Sequence, residues 1–202
     1  ALLMLSASLV SDRDFLKRFT RITLVVGIIL IVYGNLQYLG LEPFPYVNAY
    51  TVNAPIGTFG NSNFQSAFMG LIAVVSFTMV LNKEYKSSIK IGLALAGVAS
   101  LIVVYETLST QGYLNFIAGI GAVIILWLFM SKRKTLGLTV SGLGAFGAVL
   151  TFLGLINSGP LASFLYSGSL EARGYYWRAA IKMVTDHPFF GVGMDGYGDW
   201  FF

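Results

Sequence analysis

Cysteine is absent from this sequence. Disulfide frameworks and thiolate metal sites are therefore excluded. Histidine occurs once, at His187, so a His-based metal cluster has no ligand set either. Charge is scarce. Only 11% of residues are Asp, Glu, Lys or Arg, against about 25% in an ordinary soluble domain. So few charges cannot cover a surface that faces water on all sides. What fills the gap is apolar: 56% of the 202 residues are hydrophobic, and mean hydropathy is +0.74. The composition is that of a membrane protein.

Five apolar runs, roughly 20–39, 64–81, 91–108, 113–130 and 136–156, are long enough to cross a bilayer. Each rises about 27 Å or more at about 1.5 Å per helical residue. Lipid admits only helices and closed barrels, and runs this long and continuous are not barrel strands. The expected fold is all-α: a polytopic membrane helix bundle over 1–156, followed by an outward-facing loop with an amphipathic helix over 157–202. Residues 1–10 are apolar but too short to span, and no charged segment precedes them, so they make a poor signal peptide. They are expected to be the end of a truncated helix, and the chain an internal piece of a longer protein. Small residues recur at four-residue spacing, as in Gly92 and Ala96, Gly137 and Ser141, and Gly144 and Ala148. Such pairs let helices approach closely. No internal repeat of the inverted-transporter kind is present.

Basic residues are absent from every second connection. Arg13, Lys17, Arg18 and Arg21 precede or open the first run, Lys83, Lys86 and Lys90 lie between the second and third, and Lys132, Arg133 and Lys134 between the fourth and fifth. The connections 40–63 and 109–112 contain no Lys or Arg. The positive-inside rule places the basic loops in the cytoplasm and the others, with everything after 156, outside. Ten of the 13 Lys and Arg residues are thus topological signals. The net charge of +4 is not a nucleic-acid patch, and no nucleic-acid partner is expected.

The outward connections carry the polar chemistry. The first has Pro43, Pro45 and Pro55, with aromatics Phe44, Tyr46 and Tyr50, and closes on Gly57-Thr58-Phe59-Gly60-Asn61-Ser62-Asn63-Phe64. Asn61 and Asn63 stand before a helix, where Asn is a good N-cap. A helix N-terminus also attracts anions, and Asn amides can donate to sugar hydroxyls or phosphate oxygens. Glu106 lies about one turn from the outer end of the third run, where a carboxylate either reaches the interface or lines a polar cavity. Ser109-Thr110-Gln111-Gly112 forms an outer turn. Turn chemistry explains Gly112 but not the identity of Gln111.

Beyond the Gly159-Pro160 break, residues 170–186 read as a polar, aromatic helix. Arg173 and Trp177 share one face. Arg178 and Lys182 share another, about 140° away. Guanidinium forks suit phosphate oxygens. The plainer alternative is an interfacial helix with Trp and Arg at headgroup level. Pro188 ends the helix, and Gly191, Gly193, Gly196 and Gly198 follow in a flexible loop. His187, between Asp186 and Pro188, is read as a helix-end residue and not as a base.

Three stretches taken together resemble the O-antigen ligase and polymerase family of bacterial membrane glycosyltransferases. They are Gly57 to Phe64, then Ser109-Thr110-Gln111-Gly112, then Arg173-x-x-x-Trp177 running into Asp186-His187-Pro188-x-x-Gly191-Val192-Gly193. Many members carry Arg at the position of Gln111. The resemblance implies a helical fold similar to the GT-C type of glycosyltransferase, needing no metal or other cofactor. It implies transfer or polymerisation of a glycan from a polyprenyl-diphosphate carrier to a glycan, lipid or protein acceptor, at the outer face of the bacterial cytoplasmic membrane. By the same resemblance, Arg173 and Arg178 are the diphosphate candidates, and Asn61, Asn63, Gln111 and Trp177 line the substrate site. The catalytic base is expected beyond residue 202, so the segment is expected to be inactive alone. Glu106, Asp186, His187, Asp195 and Asp199 are the acid–base groups at hand, and none matches the family's base motif. A protein O-oligosaccharyltransferase of the same family remains open. Two other classes compete. A transporter or flippase for a lipid-linked substrate would favour charges inside the spans, and apart from Arg21, which opens the first run, Glu106 is the only one. A structural membrane protein would not need an outer face lined with Asn, Gln and Arg.

Overall fold

The computed structural model describes residues 12–42, 54–166, 168–193, 195–199 and 201. Residues 1–10, expected as a helix end, lie outside them, as do Pro43, Phe44, Pro45, Tyr46 and Tyr50 of the connection 40–63. By its contacts the chain divides into two units, Ala1–Lys132 and Arg133–Phe202.

The first unit holds four long helices: α1 (Arg13–Tyr38), α2 (Ser62–Val80), α3 (Ser87–Glu106) and α4 (Gln111–Met130), with a 3-10 turn (Gly57–Phe59) before α2. The second holds α5 (Lys134–Leu155), the one-turn α6 (Ala162–Leu165) and α7 (Ser169–Asp186). No strand occurs among the described residues. α1 to α5 are each long and apolar enough to cross a membrane. The protein is a polytopic helical membrane protein.

The five spans fall where hydropathy places them, but α1 and α3 begin earlier. The basic residues Arg13, Lys17, Arg18 and Arg21 sit on α1 itself, and Lys90 on α3. An apolar run marks only the hydrocarbon-spanning part of a helix; the backbone ladder continues into the interface. Local caps set the starts. Asp12 Oδ1 accepts from the Asp14 N–H at 2.9 Å, and Asn61 Oδ1 accepts from the Asn63 N–H at 2.8 Å, each satisfying a donor that has no intrahelical partner.

α2 is the central helix of the first unit and packs on α1, α3 and α4. Leu30, Ile31, Met69, Ile72, Val103 and Val104 form the apolar centre. Gln65, Ser66, Ser76 and Ser100 are fully buried beside it. Small and polar residues at helix contacts are the membrane pattern, because lipid offers no hydrophobic drive for helix association. The outward surfaces are apolar instead: Ile22, Val25, Leu95, Ile117 and Leu126 are exposed.

Close approach does not depend on the Gly92 pair singled out from spacing. Among the described residues, nothing beyond its own turn of helix lies within 4 Å of a Cβ built at Gly92. The tight contacts are elsewhere. A Cβ on Gly70 would overlap the Gly112 carbonyl, and one on Gly27 would press Ile72. Four-residue spacing gives a shared face, but not which face meets a neighbour. In the second unit, Gly137 is buried, and its carbonyl accepts from Ser141 Oγ at 2.8 Å.

Candidate functional site

At one end of the first unit α1 and α3 finish and α2 and α4 begin. There side chains stitch the helices together. Ser109 Oγ donates to Asn63 Oδ1 at 2.8 Å. Ser66 Oγ donates to the Ser109 carbonyl at 3.3 Å and accepts from the Gly112 N–H at 3.1 Å. Asn115 Nδ2 donates to the Ala67 carbonyl at 3.2 Å. The Gln111 N–H donates to Ser109 Oγ at 3.3 Å. Thus Asn61, Asn63 and Gln111 lie at the same end of the first unit, at the starts of α2 and α4. Asn63 stands inside the first turn of α2 and not ahead of it. Asn61 and Asn63 carry structural bonds through their carbonyl oxygens. The half-buried side chain of Gln111 makes no hydrogen bond among the described residues.

The entry to α2 is pinned by a second network. Glu42 Oε1 accepts from Tyr33 OH and from Gln37 Nε2, each at 2.7 Å. Gln37 Oε1 accepts in turn from the N–H groups of Ile56 and Gly57, at 3.1 and 2.8 Å. Gly57 has φ +57°, and a Cβ there would collide with the Gln65 carboxamide. Glycine is needed at this position for both reasons. Gln65 Nε2 donates to the Leu30 carbonyl at 3.3 Å. Gln65 Oε1 and Glu106 Oε2 are buried without a hydrogen-bond partner among the described residues. Glu106 is the last residue of α3 and only 7% exposed, so it does not reach out to the interface. It belongs to the polar interior at this end.

The second unit contains a cleft of about 570 Å³ along α7. Arg178 and Lys182 line it, with the rings of Tyr175, Tyr176 and Phe201, and the small Ala172 and Ala179 leave the space between them. The Arg178 guanidinium lies 4.7 Å from the Tyr175 ring centroid, and its Nε donates to the Gly174 carbonyl at 3.3 Å. The two contacts orient the planar fork. The glycine-rich loop after α7 folds back to complete the wall. Tyr197 OH donates to the Tyr176 carbonyl at 2.6 Å, and Phe201 packs on both rings, at centroid distances of 5.3 Å to Tyr176 and 5.8 Å to Tyr197. Gly193, at φ +86°, supplies a left-handed turn in this return.

The structure brings Arg178 and Lys182 together, as their helical spacing requires. It does not bring Arg173 or Trp177 into the cleft. Arg173 is half-buried on another side of α7 and makes no hydrogen bond among the described residues. Sequence reasoning missed Tyr175, Tyr176 and Phe201. The aromatic pair inside a polar helix was a usable signal. Phe201 had none, because only the loop's return brings it there. His187 caps the end of α7: its N–H donates to the Met183 carbonyl at 2.9 Å and its own carbonyl accepts from the Gly191 N–H at 3.0 Å. Among the described residues no group of three or more His, Cys, Asp or Glu could hold a metal ion.

These features define a multi-pass helical membrane protein that carries a cationic, aromatic cleft on a more polar helix following α5. The family model for O-antigen ligase matches residues 95–202, more than half of the chain, and the chain belongs to that family. The match runs through most of α3, all of α4 to α7 and the glycine-rich loop. Membership assigns the protein, at a coarse level, to membrane-bound glycan ligation or polymerisation and to enzymes of the glycosyltransferase kind. No curated protein and no solved structure matches the chain.

Proposed function

We propose that this chain is part of a bacterial enzyme that transfers or polymerises a glycan carried on a polyprenyl diphosphate, at the outer face of the cytoplasmic membrane. An acceptor hydroxyl attacks the anomeric carbon and loses its proton; the bond from that carbon to the diphosphate oxygen breaks. Negative charge accumulates on the leaving diphosphate, and preorganised cations lower the barrier by meeting it there. In this reading Arg178 and Lys182 supply those cations from the cleft, and Arg173 supplies one from the neighbouring face of α7. Tyr175, Tyr176 and Phe201 offer ring faces to the apolar side of a sugar. Trp177 stands beside Arg173 on its face of α7. Asn61, Asn63 and Gln111 contribute amide groups to the glycan site. The acceptor is a glycan, a lipid or a protein.

The observation that carries this reading is a built cationic cleft lying wholly within the region that matches the family. Its test is a transfer assay with purified full-length protein and a polyprenyl-diphosphate-linked oligosaccharide. The expected products are the extended or ligated glycan and free polyprenyl diphosphate in equal amounts. Transport of the intact carrier across a vesicle membrane, with no diphosphate released, would instead support a flippase.

The orientation has its own check. Ser62→Cys and Ser87→Cys, made singly, are exposed to a membrane-impermeant thiol reagent in cells whose outer barrier is permeabilised. Ser62 opens α2 beside the Asn cluster, and Ser87 opens α3 beside the basic loop. Labelling is expected at position 62 and not at 87. The reverse pattern overturns the outward assignment.

His187→Gln in the full-length enzyme should keep its transfer rate within roughly tenfold of wild type, because losing a general base costs about 10²–10⁴. Its backbone bonds to Met183 and Gly191 survive the change. A loss in the larger range, at unchanged protein level, would make His187 the base.

A further inference from the structure

We infer that the face of α7 bearing Trp177, Ile181 and Val184, together with Phe189 and Phe190, is seated in the lipid leaflet at which α5 ends, with Arg173 at headgroup level. This goes beyond the proposed chemistry and does not rest on it; it needs only that α5 spans the membrane.

The helix has two unlike sides. Trp177, Ile181 and Val184 are spaced four and three residues apart, so they form one stripe. They are 54%, 63% and 64% exposed, and the Phe189–Phe190 pair just past the helix end is 90% and 97% exposed. Each such side chain gains about 1.5–3 kcal/mol on leaving water. The cleft opens on the opposite side, walled by Ala172, Ala179 and Lys182. Seating the stripe in lipid therefore leaves the cleft open to water.

Lipid is favoured as the occupant by three observations. First, α7 is tied close to a membrane exit. Thirteen residues separate Leu155 from Ser169. Within that link Leu161 and Leu165 pack against Gly154 at the end of α5, and the Tyr166 ring packs on Gly174 of α7. Second, α5 presents exposed Leu138, Leu143, Phe146, Val149 and Phe152, which is the surface of a lipid-facing span. The apolar stripe of α7 extends that same kind of surface just past the exit. Third, the charges are ordered for headgroups. By helical geometry Arg173 stands about 50° from the centre of the stripe, nearer than Glu171 at about 110° or Asp186 at about 170°, while Arg178 turns to the Tyr175 ring and the cleft. Long basic side chains at the margins of an apolar stripe reach anionic phosphates while their stems cover hydrocarbon, and Trp favours the same depth.

The test uses full-length protein in nanodiscs containing anionic phospholipid. Nitroxide labels are placed singly at Ile181, Val184 and Phe190, and at Ala179 and Lys182 as water-side references. Collision with oxygen, which concentrates in lipid, is compared with collision with a water-soluble nickel chelate. The expected ratio of oxygen to nickel accessibility is several-fold higher at 181, 184 and 190 than at 179 and 182. Equal ratios at all five sites overturn the proposal in favour of a water-exposed helix. Shielding of 181 and 184 from both reagents also overturns it, since a second copy or another segment of the chain would then cover the stripe. The double variant Phe189→Ser, Phe190→Ser should lower the ratio at Val184 several-fold while leaving a label at Phe146 of α5 unchanged. An unchanged value at Val184 removes the Phe pair from the anchor.

Discussion

Replacing Arg173 or Arg178 with alanine in the full-length protein is expected to cut glycan transfer by about 10² or more at unchanged expression. The charge on a departing diphosphate is the largest that the reaction develops. A charged hydrogen bond to the leaving diphosphate, formed once the bound substrate has displaced water from the cleft, costs a few kcal/mol to lose, and about 1.4 kcal/mol is tenfold in rate. Arg178 is held for this task by the Gly174 carbonyl and the Tyr175 ring. Arg173 is half-buried, with no hydrogen-bond partner among the described residues. Arg173→Lys and Arg178→Lys should also lose activity, because an ammonium cannot make the two-pronged contact. A structural role would instead lower the melting temperature in parallel with the rate, so both are measured on each variant. The double alanine variant adds a further reading. Losses well short of additive in free energy would place both guanidiniums on one diphosphate. Wild-type rates in both single alanine variants would remove the clamp.

The membrane spans were legible because hydropathy over about 20 residues directly reports burial in hydrocarbon. The charge segregation was legible for a similar reason: Lys and Arg placement is a one-dimensional signal. Contacts between distant positions were not. Nothing in the neighbourhood of Phe201 announces that a glycine-rich loop will return it to Tyr176. Gly70 and Gly112 carry no repeat signature, yet a Cβ on either would overlap the backbone of the facing helix. Glu106 could be placed near a helix end from its sequence, but its burial is set by tertiary packing that a linear reading does not display. Asn63 shows the limit of cap reasoning. Its residue type suits an N-cap, and the neighbouring Asn61 takes that place, leaving Asn63 to bridge to Ser109.

Gly70→Ala is expected to destabilise the first unit by about 3 kcal/mol, the upper part of the range for overpacking a helix contact. The added methyl would meet the Gly112 carbonyl, which is backbone. No rotamer change can clear it, so α2 and α4 must move apart. Separation stretches the Gly112 N–H bond to Ser66 Oγ and the Asn115 bond to the Ala67 carbonyl, now 3.1 and 3.2 Å. Van der Waals packing and interhelical hydrogen bonds are the forces that hold helices together in lipid, so both losses act on the same contact. An apparent melting temperature lower by about 6–12 °C in detergent follows from the usual relation for a chain of this size. Gly92→Ala is the control: it adds the same methyl to a helix in open space, and its effect should stay within about 0.5 kcal/mol. The Gly70 variant should lose transfer activity as well, because moving α4 displaces Gln111 from the helix end it shares with Asn61 and Asn63. Equal melting temperatures for the two glycine variants would show that α2 and α4 do not meet at Gly70 and Gly112.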